Sequence, residues 1–171
     1  MLIVLSGLPG VGKTEIARAL AQVLEGVHIR VDSIEQVLRD SGVKVEGEGY
    51  EVAYAVAEDN VRVGRVVIAD CVNPWPLTRD AWRAVAARAN VPVLEVEVAC
   101  SDVEEHRRRV ESRAADIPGH VLPAWSDVTA RDYRPWDRER FVLDTSHRSV
   151  GTAVDAIVSE LRRRQPSGEN A

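Results

Sequence analysis

The chain has 171 residues, 45% of them hydrophobic and 29% charged, with a formal net charge of -5. That length and balance fit one soluble domain with a real core, and the acidic sign argues against the broad basic surface that duplex DNA binding uses. No apolar run approaches the roughly 20 residues that span a membrane, the start shows no signal-peptide pattern, and Cys71 and Cys100 form no C-x-x-C pair, so the reading is a reduced, cytoplasmic protein.

Along the chain, apolar runs alternate with segments of helical periodicity. "LIVLS" (2–6) predicts a buried strand, "GLPGVGKT" (7–14) follows it as a glycine-rich loop, and Ile16, Ala17, Leu20, Ala21 and Leu24 then recur at helical spacing. "VHIRV" (27–31) predicts a second strand, 33–39 a short helix, and 41–49 a glycine-rich loop. Val52, Ala53, Val56, Ala57 and Asn60 share one helix face. "RVVIAD" (65–70) reads as a third strand, apolar throughout as a strand covered on both faces should be. Trp82, Val85, Ala86 and Ala89 mark another helix, "VPVLEVEVA" (91–99) a fourth strand, "FVLDTS" (141–146) a fifth, and Val150, Val154, Ile157, Val158 and Leu161 a last helix. Five strands with helices between them give an α/β three-layer sandwich around a parallel sheet. Residues 1–164 read as a single domain. Within it, 102–135 break the alternation as a lid-like segment, and 165–171 read as a disordered tail.

The loop at 7–14 fits G-x-x-x-x-G-K-T in full, between a strand and a helix as that motif requires. Gly7, Leu8, Pro9, Gly10, Val11 and Gly12 would turn successive N–H groups toward an anion, and the helix behind them adds its positive end. Lys13 would reach the β- and γ-phosphates of ATP, and the Thr14 hydroxyl would ligate Mg²⁺. Asp70, at the tip of the third strand, is a second metal candidate, or else a helix N-cap. Asp32, expected at the end of the second strand, could take a proton from an attacking hydroxyl; a capping role, with Glu35 or Gln36 completing a capping box, stays open beside it. In "DVEEHRRRVESR", Arg109 and Arg113 stand four apart and so share a helix face, where a pair of guanidiniums could clamp phosphate; Arg107 and Arg108 read as a solvated face paired with glutamates. Tyr50 and Tyr54, with Asn73 and Trp75 of the stiff "NPWP" loop, are candidates for acceptor contact, the loop being a plain connection as the alternative. Tyr133 and Trp136 read as anchors that pack the lid on the sheet. His28, His106, His120 and His147 show no metal-ligand spacing and read as surface or lid residues.

At these residues the chain resembles the small P-loop kinases that include chloramphenicol phosphotransferase and the kinase domains of polynucleotide kinases, an AAA-type ATP-binding group. "GLPGVGKT", "VDSIEQVL", "VVIAD" and "EHRRRVESR…LDTS" stand in that group's order. The resemblance implies a sheet order of 2-3-1-4-5, a base at Asp32, an R-x-x-x-R lid at Arg109 and Arg113, and contact with adenine from Thr145, Ser146 and His147. The D-x-x-R pattern of polynucleotide kinases is not met: three residues after Asp32 stands Glu35, and Arg39 comes a turn late. The expectation is therefore an ATP- and Mg²⁺-dependent kinase acting on a small hydroxyl-bearing substrate rather than on nucleic acid. A polynucleotide 5′-kinase and a nucleotide-binding switch are the alternatives.

Overall fold

The computed structural model describes residues 1–164; the disorder expected of 165–171 concerns residues outside that range. The elements run β1 (Leu2–Ser6), α1 (Lys13–Val23), β2 (Val27–Arg30), α2 (Val31–Asp40), α3 (Glu48–Arg62), β3 (Val67–Asp70), α4 (Pro76–Arg88), β4 (Val93–Ala99), α5 (Val103–Ser112), α6 (Trp125–Thr129), β5 (Phe141–Asp144) and α7 (Val150–Arg164). All strand pairs are parallel, and their order is β2-β3-β1-β4-β5. The five-stranded sheet has helices around it, as the alternation predicts, in the order that the resemblance implies.

β1 shows how the sequence builds this. Its five residues are all fully buried, and successive side chains leave a strand on opposite faces. Ile3 and Leu5 join one core with Ile16, Leu20 and Ile157 from α1 and α7. Leu2 and Val4 join a second core with Ala53, Ala57, Trp82 and Val85 from α3 and α4. A run apolar at every position is what two cores on one strand demand. Each such side chain removed from water contributes roughly 1.5–3 kcal/mol, so the strand that carries the glycine-rich loop is rigidly held.

The ends of elements differ from the expectation where function concentrates. β2 stops at Arg30, and α2 starts at once with Val31. Asp32 is thus in the first helical turn, not at a strand tip. The N-cap position belongs to Arg30, with no side-chain cap bond, so Asp32 does not cap α2. α3 begins at Glu48, inside the stretch read as a loop, and the short α6 has no periodic run long enough to announce it. Among the described residues, no helix is long and apolar enough to cross a membrane.

Candidate active site

The loop after β1 is shaped by what its glycines permit. Gly7 has φ 145, and a Cβ there would lie 2.2 Å from the Val98 carbonyl oxygen; its N–H donates to the Val72 carbonyl at 3.1 Å. Gly12, at φ 96, is the N-cap of α1. The N–H groups of Leu8, Gly10, Val11 and Gly12 donate to no backbone carbonyl among the described residues. Leu8 and Val11 turn their side chains into the apolar core; Pro9, Gly10, Gly12, Lys13 and Thr14 line a cavity of about 770 Å³. Free amides, a helix N-terminus and one lysine on a cavity wall make an anion cradle. The Lys13 ammonium is buried and donates to the Leu8 carbonyl at 3.0 Å. Desolvation lowers its pKa, while the Asp70 and Asp32 carboxylates favour its charged form.

Asp70 ends β3 in register with Leu5 of β1 and Arg30 of β2. Burial works against its charged form. The His28 hydrogen bond, the Lys13 ammonium and the Thr14 hydroxyl together outweigh that and hold its pKa below the ordinary carboxylate value. His28 Nε2 is 3.4 Å from Asp70 Oδ2. A buried, ionised carboxylate beside a threonine hydroxyl and a phosphate cradle fits Mg²⁺, which takes one or two protein oxygens plus phosphate and water. Among the described residues no cluster of three or more His, Cys, Asp or Glu forms an all-protein cage for another metal.

Asp32 also lines the large cavity, and so do Arg30, Arg109 and Arg113. Arg109 and Arg113 do not form the same-face pair that their spacing predicts. α5 ends at Ser112, and Arg113 is its extended C-cap at φ -71, ψ 143, so its side chain leaves the helix face. Arg113 lines the cavity, with Nε and Nη2 buried and unpartnered. Desolvation lowers its pKa, and the neighbouring Asp32 carboxylate acts in the opposite sense. Arg109 turns the other way. It pairs with Glu105 at 2.7 Å and donates to the Thr145 hydroxyl and carbonyl, each at 3.0 Å. Thr145 in turn lies within hydrogen-bond distance of the Val11 and Ala99 carbonyls. Ser146 Oγ donates to Asp144 and accepts the Asp102 N–H. Both side chains are buried and tie β5 to the loop and to α5, rather than lining the cavity; His147 is exposed.

A second pocket, of about 350 Å³, opens beside the first and shares Asp32 with it. Tyr50, Tyr54 and Trp75 line it, with Pro74, Leu77 and Thr78. Asn73 does not. It is fully buried at φ 51, its amide side chain donating to Ser6 Oγ and its N–H to the Tyr50 hydroxyl. Only a residue with low cost in the left-handed region serves there, so Asn73 shapes the wall from behind.

Sequence reading missed three residues. Arg79 is completely buried, donating to the carbonyls of Asn73, Pro74, Arg134 and Pro135, with Tyr133 and Trp136 rings 5.2 and 4.2 Å from its guanidinium carbon. The anchoring expected of those aromatics is therefore exerted through an arginine. His106, read as bland, is buried between Trp125 and the Pro9 carbonyl, 2.8 Å from its Nε2. His28, likewise, touches Asp70. No spacing rule points to Arg79, His106 or His28, because each acts on a partner distant in sequence.

A family model described as an AAA domain matches residues 2–131. A probable adenylyl-sulfate kinase of Aeropyrum pernix is 28% identical over 168 residues, covering 92% of this chain and 90% of that one. Among solved structures, Chaetomium thermophilum Kti12 in complex with ADP-AlF3 is 26% identical, with TM-score 0.66 and coverage of 93% of this chain and 98% of that one. The Mycobacterium tuberculosis APS kinase CysC, solved with AMPPNP and APS, superposes with TM-score 0.72 over 94% of this chain and 96% of its own; at 17% identity the likeness is one of fold.

Proposed function

From the premise that this chain belongs to the AAA domain family, we propose that it is an ATP-dependent phosphotransferase that moves a γ-phosphoryl group to a hydroxyl of a small molecule. The observation that carries this reading is the position of Asp32. It lines both the phosphate cavity and the aromatic pocket, it caps nothing, and its side chain is 43% exposed, so its lone pairs are open to the cavity. Glu35 also lines both pockets, but Arg39 pairs with it at 2.7 Å.

In this reading the loop amides and Lys13 hold the triphosphate. Mg²⁺, when bound, supplies charge neutralisation at the phosphates, with Thr14 and Asp70 as its protein oxygens, direct or through water. A hydroxyl seated in the pocket of Tyr50, Tyr54 and Trp75 attacks phosphorus. The new O–P bond forms as the bond to the β–γ bridging oxygen breaks, the electron pair leaves on ADP, and the hydroxyl proton passes to Asp32. The segment from α5 to α6 closes as a lid over the loop, with Arg113 as its contribution to the transferring group. The kinases named above support phosphoryl transfer to a small molecule. The "VDSIEQVL" stretch favours an acceptor handled as in chloramphenicol phosphotransferase. A polynucleotide end fits less well, because the acidic chain offers Glu35 where an arginine is expected. Incubation with Mg²⁺, labelled ATP and either a panel of small alcohols and sugars or a 5′-hydroxyl oligonucleotide tests this. Label in a small alcohol is the expected result; efficient, salt-sensitive label in the oligonucleotide overturns the acceptor class.

A further inference from the structure

Among the described residues, five buried side-chain nitrogens and oxygens have no hydrogen-bond partner: Asn73 Oδ1, Trp82 Nε1, and three guanidinium nitrogens, Arg30 Nε with Arg113 Nε and Nη2. A buried N–H without an acceptor costs about 1–3 kcal/mol, more when it belongs to a charged group. Two arginines that line one cavity and leave such donors unpaired therefore call for an anionic partner there. Arg113 belongs to the lid. Arg30 does not: it ends β2, beside Asp70 in the sheet register, and no motif of the sequence points to it.

We propose that Arg30 is a further catalytic residue of the phosphoryl transfer proposed above, on which this inference rests. Arg30 Nε and the free nitrogens of Arg113 form a guanidinium pair that takes the non-bridging oxygens of the γ-phosphoryl as it passes from the β–γ bridging oxygen to the acceptor oxygen. Four observations carry this. Both arginines line the same cavity as Lys13, Thr14 and Asp32. Arg30 Nε stands 3.9 Å from Asp32 Oδ2, so it is within reach of whatever Asp32 deprotonates. The Arg30 side chain is 12% exposed, which places its charge in low-dielectric surroundings where oriented donors act strongly. Its other end is fixed: Nη1 donates to Asp116 Oδ2 at 2.8 Å. Asp116 also accepts from Arg18 of α1, and these two partners hold its carboxyl well below the ordinary range. Asp116 lies on the loop after α5 and lines the same cavity, so it holds one end of the Arg30 guanidinium there.

The test needs no acceptor. The affinity of Mg·ADP is measured by calorimetry with and without fluoroaluminate, a mimic of the transferring phosphoryl. The parent protein is expected to bind Mg·ADP and to bind it more tightly when fluoroaluminate is present. Arg30→Gln is expected to keep its Mg·ADP affinity within about twofold and to lose about tenfold or more of the fluoroaluminate gain. Arg30→Lys keeps the charge but cannot serve Asp116 and the phosphoryl together, so it recovers only part of the gain, and it stands in should the glutamine variant melt early. Asp116→Ala removes the partner but leaves Arg30, and should lose less of the gain than Arg30→Gln does. An unchanged gain in Arg30→Gln overturns the proposal. Equal losses in Arg30→Gln and Asp116→Ala also overturn it, reducing Arg30 to a latch for the loop. A parent that binds Mg·ADP with no fluoroaluminate gain overturns the anion seat itself, whereas a parent that fails to bind Mg·ADP overturns the kinase reading beneath it.

Discussion

The two cavities that meet at Asp32 differ in one wall. One wall of the larger is backbone: free amides of Leu8, Gly10, Val11 and Gly12, a helix N-terminus and one buried lysine, all within a single β1–loop–α1 unit, while side chains such as Arg30, Asp32, Asp70 and Arg113 close the rest. The smaller is lined from α2, the 46–54 stretch that leads into α3, the 72–81 stretch that leads into α4, and Arg131, four separate stretches brought together by packing. A phosphate is the same in every nucleotide, so one compact stretch of sequence can specify its cradle. The smaller pocket, proposed above for the acceptor, has no local code. If this contrast is right, damage to the first cavity removes nucleotide binding, while damage to the second spares it.

The largest effect is expected at Lys13. Lys13→Met removes the only lysine of the cradle and should weaken Mg·ATP binding by about 100-fold or more, abolishing turnover. Because burial already lowers the Lys13 pKa, the ammonium is held at a cost to the fold. The variant loses the bond to the Leu8 carbonyl and a charge partner of buried Asp70, offset by relief of the buried ammonium, so thermal stability should stay within about 1 kcal/mol of the parent. Calorimetric ATP titration and a melting curve check both halves. Parent-like ATP affinity would mean that the backbone cradle alone suffices.

Asp32, where the two cavities meet, comes next. Asp32→Asn should leave Mg·ADP affinity unchanged and lower acceptor phosphorylation by roughly 10²-fold or more, the scale of general base catalysis. Since Asp32 caps nothing, the melting temperature should not move. A loss of nucleotide affinity equal to the loss of rate would assign Asp32 to phosphate binding instead and erase its bridging role.

The same contrast explains what could be read from sequence alone. The strands, their parallel pairing and the glycine-rich loop were legible, since unbroken apolar runs alternating with helical periodicity and glycine spacing are local signals. Asp32 was legible as a candidate but not in its placement. One residue of difference at the end of β2 moves Asp32 from a strand tip into α2, and strand and helix propensities do not resolve such a boundary. Arg109 and Arg113 show the limit of helical spacing. Four residues apart means a shared face only while the helix continues, and α5 stops at Ser112. Arg30, His106 and Arg79 were illegible because their partners lie 86, 97 and 55 residues away, on Asp116, Pro9 and Arg134.

Arg79 gives the smallest effect on activity and the sharpest test of the contrast. Its guanidinium lies behind the smaller pocket, fastening the carbonyls of Asn73 and Pro74 to those of Arg134 and Pro135. Nothing in the phosphate cradle touches it. Lysine at this position keeps a charge but has three donors on a flexible stem, and it cannot stack on Tyr133 and Trp136 as a planar group does. Arg79→Lys should therefore leave at least one buried carbonyl unpaired and lose about 1–3 kcal/mol of stability. The wall formed by Pro74 and Trp75 would then be less well fixed. Once an acceptor is in hand, its KM should rise several-fold while Mg·ATP affinity stays within about twofold, since misplacing a binding wall weakens substrate seating without touching the phosphates. Steady-state kinetics with each substrate varied in turn, below the variant's melting temperature, gives the split directly. A parallel loss in ATP affinity would show that the two cavities share their scaffold, and that the difference between their walls does not extend to their energetics.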